Sequence, residues 1–132
     1  MEKRFREAER RLDELLRRDK AAIAARGVAI TDSSVRAYTY KSEYLCWSHR
    51  FETRRARGSE VEKVMVWVSF HEGDEGAVRV WRCAEIFQVS SLSRWRSTTE
   101  RLLPLEDVMR RGLACIVLEW VSAGEAAAAA VV

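Results

Sequence analysis

The sequence has few of the residues that build cofactor or metal sites. Its 132 residues include three cysteines and two histidines, and no pair of cysteines has the Cys-x-x-Cys spacing typical of zinc and redox sites. Glycine-rich phosphate loops, the GxSxG of hydrolases and the HExxH of metalloproteases are also missing from the sequence. We therefore expect no cofactor, no metal ion and no catalytic residue.

Long apolar runs are absent as well, and none approaches the ~18 residues that a membrane-spanning helix needs. The chain begins with a charged stretch, Glu2 to Arg11, and not with the apolar core of a secretory signal. Cys46, Cys83 and Cys115 each lie in an apolar stretch, as buried thiols of a reducing compartment do. These features predict a cytoplasmic or otherwise intracellular protein with no membrane contact.

What the sequence does contain is enough apolar material for one core. Hydrophobic residues make up 48% of the chain, and five of them are tryptophans. A chain of this length forms one domain, which we place at residues 1–123, followed by an alanine-rich tail at residues 124–132. The net charge of +3 arises from 23 basic and 20 acidic residues, a mild excess that permits contact with nucleic acid without favouring it.

Three tryptophans mark the centre of the fold. Trp67, Trp81 and Trp95 lie fourteen residues apart, each in a run that alternates apolar with polar side chains. Alternation of β-branched and aromatic residues with a period of two predicts strands. An antiparallel meander of about four strands is therefore expected over residues 44–103.

Helical patterns flank this meander. Within residues 2–26, apolar side chains recur every three or four positions, and Gly27 follows the last of them. This pattern predicts an amphipathic helix within residues 1–27. Its apolar stripe fits a helix that lies on the sheet, and because the stripe is narrow it also allows a short coiled coil with another chain. Residues 104–111 predict a short helix, and residues 113–121 fit a strand or a helix. Because glycine within a helix costs ~1 kcal/mol relative to alanine, Gly112 favours the strand. The fold class is α+β.

Loops centred near residues 58, 74 and 91 would fix the strand register. Trp67 would then lie opposite His49 and Trp81, and Trp81 would lie opposite Arg101. The predicted aromatic face carries the residues proposed for interaction: Trp47, His49, Trp67, Arg79, Trp81, Trp95 and Arg101. A slip of one residue in a loop would move a strand's side chains to the other face. In this register His49 and His71 are on the order of 13 Å apart, too far to share a zinc ion.

The simplest interpretation of this aromatic face is a second core layer packed under the first helix. Three functions also fit it. The leading hypothesis is a non-catalytic interaction module, a homodimer or a subunit or adaptor of a larger assembly, which also uses one side of the first helix (Phe5, Leu12, Leu15 and Leu16). The second is binding of single-stranded nucleic acid, with phosphate contacts from the basic group Arg50, Arg54, Arg55 and Arg57. The third is a small-ligand cavity between sheet and helix, lined by Trp47, His49, Trp67 and Trp81.

Overall fold

The computed structural model describes residues 2–32, 37–38, 43–44, 46–71, 76–88 and 91–131. Its elements follow in the order α1 (Glu2–Ala25), β1 (Ala29–Asp32), β2 (Ala37–Tyr38), β3 (Glu43–Tyr44), β4 (Cys46–Arg57), β5 (Glu60–His71), β6 (Ala77–Gln88), β7 (Ser91–Pro104), α2 (Leu105–Arg111) and α3 (Leu113–Val131). The α+β architecture predicted from the sequence is confirmed. Among the described residues, no helix combines the length and the apolar character needed to cross a bilayer.

Five strands form one antiparallel sheet in the order β1-β4-β5-β6-β7. The predicted meander is therefore present as β4 to β7, and β1 adds a fifth strand by pairing with β4. β2 and β3 pair with each other in a separate two-stranded ribbon. Two-residue turns can join such strands: Gly58 and Ser59 connect β4 to β5, and Gly58 has a φ of +61°, which glycine adopts without steric cost.

The hydrophobic core lies between the three helices and one face of the sheet, called here the covered face. The sheet supplies alternate residues from its strands, and the helices supply their apolar sides. The core side chains are Phe5, Ala8, Leu12, Leu15, Ile23, Val28, Trp47, Phe51, Val66, Val68, Phe70, Val78, Val80, Val108, Leu113, Ile116, Val117 and Val121. Arg82 is also buried on this face, where its Nε donates a hydrogen bond to the carbonyl oxygen of Trp120 in α3.

The apolar stripe of helix α1 packs against other elements of the same chain. Phe5, Leu12 and Leu15 are buried in the core, and Leu16 packs against it. The structure therefore confirms that this helix lies on the sheet, and it corrects the expectation that the stripe is an exposed contact surface or a coiled-coil seam. The physical reason is that the sheet and α3 together offer an apolar surface long enough to bury the helix.

Residues 113–121 form a helix, so the preference for a strand is wrong. Gly112 has a φ of +89° and separates α2 from α3, so it does not interrupt one helix. A side chain of α1 caps the N-terminus of α3, because Oδ2 of Asp19 accepts a hydrogen bond of 3.1 Å from the backbone N–H of Ala114. A side-chain acceptor at a helix N-terminus satisfies an amide that has no partner within the helix.

A second contact fastens α1 to the other helices. Arg11 donates two hydrogen bonds to Glu106 in the first turn of α2, at 2.8 and 3.0 Å. The hydrogen bonds from Arg11 lower the pKa of the Glu106 carboxyl below its usual value. Trp47 of β4 adds a third link, because its indole Nε1 donates to Asp13 Oδ1 at 2.7 Å. These contacts fix α1 on the covered face and leave the other face of the sheet without a described helix.

Candidate interaction surface

The face of the sheet opposite the core is called here the open face. Residues paired across antiparallel strands point to the same side of a sheet. The register therefore assigns to the open face Cys46, Ser48, Arg50, Glu52 and Arg54 of β4, Lys63, Met65, Trp67, Ser69 and His71 of β5, Arg79, Trp81, Cys83 and Glu85 of β6, and Glu100 and Leu102 of β7. None of these side chains belongs to the core between sheet and helices, although Met65, Ser69 and Cys83 are buried.

A row of four side chains crosses the middle of the open face, and we call it the central row. It runs across β4, β5, β6 and β7 as Arg50, Trp67, Trp81 and Glu100. The two indole rings are half-buried, with centroids 4.4 Å apart and planes inclined at 44°. The guanidinium carbon of Arg50 lies 5.9 Å from the centroid of the Trp67 ring, a cation–π distance. The row thus has a cation at one end, two indoles in the centre and a carboxylate at the other end.

The charges around this row are nearly balanced. Glu100 forms an ion pair with Arg79, and Lys63 forms one with Glu52 at 2.7 Å. Lys63 also lies opposite Glu85 in the register. Among the described side chains of the open face, four cations (Arg50, Arg54, Lys63 and Arg79) accompany three carboxylates (Glu52, Glu85 and Glu100).

The predicted membership of the aromatic face is wrong for β4. Trp67 lies opposite Arg50 and not opposite His49, because the turn at Gly58 and Ser59 has two residues and shifts the register by one. Trp47 and His49 therefore lie on the covered face, with their rings 4.7 Å apart and Trp47 in the core. The predicted pairing of Trp67 with Trp81 is confirmed.

The same slip removes the predicted ligand cavity. Trp47 and His49 lie on the covered face, whereas Trp67 and Trp81 lie on the open face. These four side chains cannot line one cavity between sheet and helix.

At the last strand the sequence and the structure also differ. Trp81 lies opposite Glu100, and Arg101 lies opposite Val80, so Arg101 is on the covered side of this edge strand, where it is exposed. The pairing of β6 with β7 is irregular between Ala84 and Glu85 and again between Ile86 and Gln88, so the register of these strands changes near the turn that joins them. The backbone of Trp95 pairs with Glu85, while its side chain lies outside the described part of the structure.

The four arginines proposed for phosphate contact do not form one patch. Arg50 and Arg54 are on the open face, and Arg55 is on the opposite face, across from Glu62. The side chain of Arg57 lies outside the described residues. Alternation along β4 therefore divides the basic stretch between the two faces of the sheet.

Two cysteines occupy the open face. Cys83 is buried, and this burial raises the pKa of its thiol. The nearby Glu85 carboxylate raises the pKa of this thiol further. Cys46, the first residue of β4, lies directly opposite His71, the last residue of β5, with 3.7 Å between Sγ and Nε2. The sequence interpretation missed this pair, since its register was one residue away. Within the described ranges, no three His, Cys, Asp or Glu residues are grouped to hold a metal ion.

Comparisons with protein-family models, with curated proteins and with solved structures find no match for this chain.

Proposed function

We propose that this protein is a non-catalytic interaction module that self-associates through the open face of its sheet. The observation that supports this proposal is the central row, in which Trp67 and Trp81 are half-buried between a cation and a carboxylate. Tryptophan and arginine are the residues most enriched at the energetic centres of protein interfaces. Two sheets can also pack face to face with their side chains interdigitated.

The order of charges in the row favours a second copy of the chain as the partner. Arg50 and Glu100 are three strand spacings apart, about 14 Å. A two-fold axis parallel to the strands, above the midpoint of the row, would set Arg50 of each copy opposite Glu100 of the other. The same axis would place Trp67 of each copy against Trp81 of the other. A symmetric dimer requires such a self-complementary surface.

Charge also separates this proposal from the binding of single-stranded nucleic acid. A phosphate-binding face needs an excess of cations along one track. On the open face the four described cations accompany three carboxylates, and Arg79 and Lys63 are in ion pairs. Arg55, on the other side of the sheet, cannot extend the track.

Sedimentation equilibrium of the purified protein tests the proposal. We expect wild type to be dimeric and Trp81→Thr to dissociate at least about 30-fold more readily, the effect of removing about 2 kcal/mol at an interface hot spot. Threonine is chosen because its β-branched side chain suits a strand. The matched control Arg10→Glu changes an exposed arginine on α1 and should leave the association constant unchanged.

Two results would contradict the proposal. One is a wild-type protein that remains monomeric at every concentration reached. The other is a folded Trp81→Thr variant that dimerises as well as wild type, which would locate the interface elsewhere. Binding of a single-stranded oligonucleotide to the open face of a monomeric protein would favour the nucleic-acid hypothesis instead.

A further inference from the structure

Cys46 and His71 form a cross-strand pair at one end of the open face. The Sγ of Cys46 lies 3.7 Å from the Nε2 of His71, within the range of a hydrogen bond to sulfur. Both side chains are half-buried, so the protein holds them in place while solvent still reaches them. The direct pairing of β4 with β5 fixes this distance through the backbone of the sheet.

A histidine in this position changes the chemistry of a thiol. The thiolate, and not the thiol, is the nucleophile, and a neighbouring imidazole favours the thiolate by taking its proton. The next charged side chain along the open face of β6 is Arg79, opposite Ser69, and it forms an ion pair with Glu100 of β7. Within the part of the chain that the structure describes, the imidazole of His71 lies within hydrogen-bond range of the Cys46 thiol and is placed to take its proton.

The other two cysteines lack this arrangement. The sequence contains one further histidine, His49, which lies on the covered face. Cys83 is buried on the open face, and Cys115 is exposed on α3. The chain thus carries one thiol next to an imidazole, one buried thiol and one exposed thiol in the same molecule.

We propose that Cys46 is a reactive thiol, activated by His71, that peroxides oxidise to a sulfenic acid. The thiol proton moves from Sγ to Nε2 of His71, giving a thiolate and an imidazolium. The thiolate attacks one peroxide oxygen, the O–O bond breaks, and sulfur is oxidised by two electrons to Cys46–SOH. The departing hydroxide takes the proton from the imidazolium and leaves as water. This inference does not depend on self-association.

The rate of alkylation by iodoacetamide at each cysteine, measured by mass spectrometry as a function of pH, tests the activation. Between about pH 8.5 and about pH 6, the thiolate fraction of a model thiol falls about 150-fold. We expect the rate at Cys46 to fall by less than about tenfold over this range, and by much less than the rate at Cys115. Since each rate is compared with itself at another pH, differences in access cancel.

Variants separate activation by His71 from other causes. His71→Gln should make the pH dependence at Cys46 match that at Cys115, whereas the control His49→Gln, which changes the other histidine, should leave it unchanged. In the urea-unfolded chain the three cysteines should respond alike. Treatment with hydrogen peroxide and then dimedone should label Cys46 in wild type and label it at least about tenfold less in His71→Gln.

The proposal is overturned if Cys46 and Cys115 show the same pH dependence in the folded protein. It is also overturned if His71→Gln keeps the wild-type profile at Cys46, or if dimedone labels Cys115 in preference to Cys46.

Discussion

Asp19 is expected to be one of the most sensitive polar positions of the fold. It interrupts the apolar stripe of α1, yet its side chain is only 11% exposed. Its Oδ2 accepts the backbone N–H of Ala114, and its Oδ1 accepts a hydrogen bond of 2.9 Å from Nε of Arg18. Replacement by alanine would leave the amide of Ala114 without its acceptor at the start of α3.

The size of the effect follows from these contacts. Loss of a helix-capping side chain costs about 0.5–2 kcal/mol, and loss of a hydrogen bond to a charged group costs about 1.5–3 kcal/mol. We therefore expect Asp19→Ala to lower the free energy of unfolding by about 2 kcal/mol. For a domain of this size, that corresponds to a fall in melting temperature of about 8 °C.

Urea unfolding followed by tryptophan fluorescence measures this change. The matched control is Glu14→Ala, which removes an exposed carboxylate of the same helix in an i,i+4 pair with Arg10. Such pairs contribute at most about 0.5 kcal/mol. Equal loss of stability in the two variants would refute the capping role of Asp19.

The dependence on pH gives a second test. Burial alone would raise the pKa of the Asp19 carboxyl, but hydrogen bonds from Arg18 and from the backbone of Ala114 lower it below its usual value. A group whose pKa is lower in the folded state stabilises the protein above its unfolded pKa, about 3.9, and loses this contribution as the pH falls through the folded value. The stability difference between wild type and Asp19→Asn should therefore be constant from about pH 7 to about pH 5 and shrink below about pH 4. A constant difference at all pH values would contradict this.

Two further substitutions test the packing of α1 and the joint between α2 and α3. Gly112→Ala should lower the free energy of unfolding by about 1–3 kcal/mol, because a φ of +89° favours glycine and a Cβ would lie 3.0 Å from Nη2 of Arg18 and 3.1 Å from Oδ2 of Asp19. The control is Gly76→Ala, since Gly76 has a similar φ but open space around it. Comparing the two variants in urea unfolding separates the backbone part of the cost from the steric part. Trp47→Phe should cost about 1–2 kcal/mol, since it removes the hydrogen bond to Asp13 from a side chain that is 3% exposed. A loss below about 0.5 kcal/mol in calorimetry would show that Trp47 does not help to hold α1.

The alternating patterns of the sequence were sufficient to predict the meander. In β5 and β6 the apolar residues at alternate positions, such as Val66 and Val80, do face the helices, and Trp67 does lie opposite Trp81. The loop between these strands was expected to be centred near residue 74, and the pairing of Trp67 with Trp81 has that centre. In β4 the faces were exchanged, since the turn was expected to be centred near Gly58 and is centred between Gly58 and Ser59. Preference for short glycine-containing turns was the signal that could have corrected it.

Other errors arose where tertiary contacts decide the structure. The start of α3 depends on Asp19, 95 residues away in the sequence, so local propensity around Gly112 could not reveal it. The cross-strand pair of Cys46 and His71 depends on the same register as β4. The shift of β7 near Glu85 follows from irregular pairing, which has no clear sequence signal at that position.

The most direct test of self-association through the open face is to mix two charge-reversed variants. Arg50→Glu and Glu100→Arg should each weaken the dimer, because each would set like charges opposite one another twice across the proposed two-fold axis. Mixed in equal amounts, they should form a heterodimer with opposite charges at both positions, detected as dimer mass by sedimentation equilibrium. Mixing cannot restore an interaction within one chain, such as the ion pair of Glu100 with Arg79, so recovery of the dimer would report on the interface alone. A mixture that stays monomeric under conditions where wild type dimerises would contradict the proposed pairing of the central row.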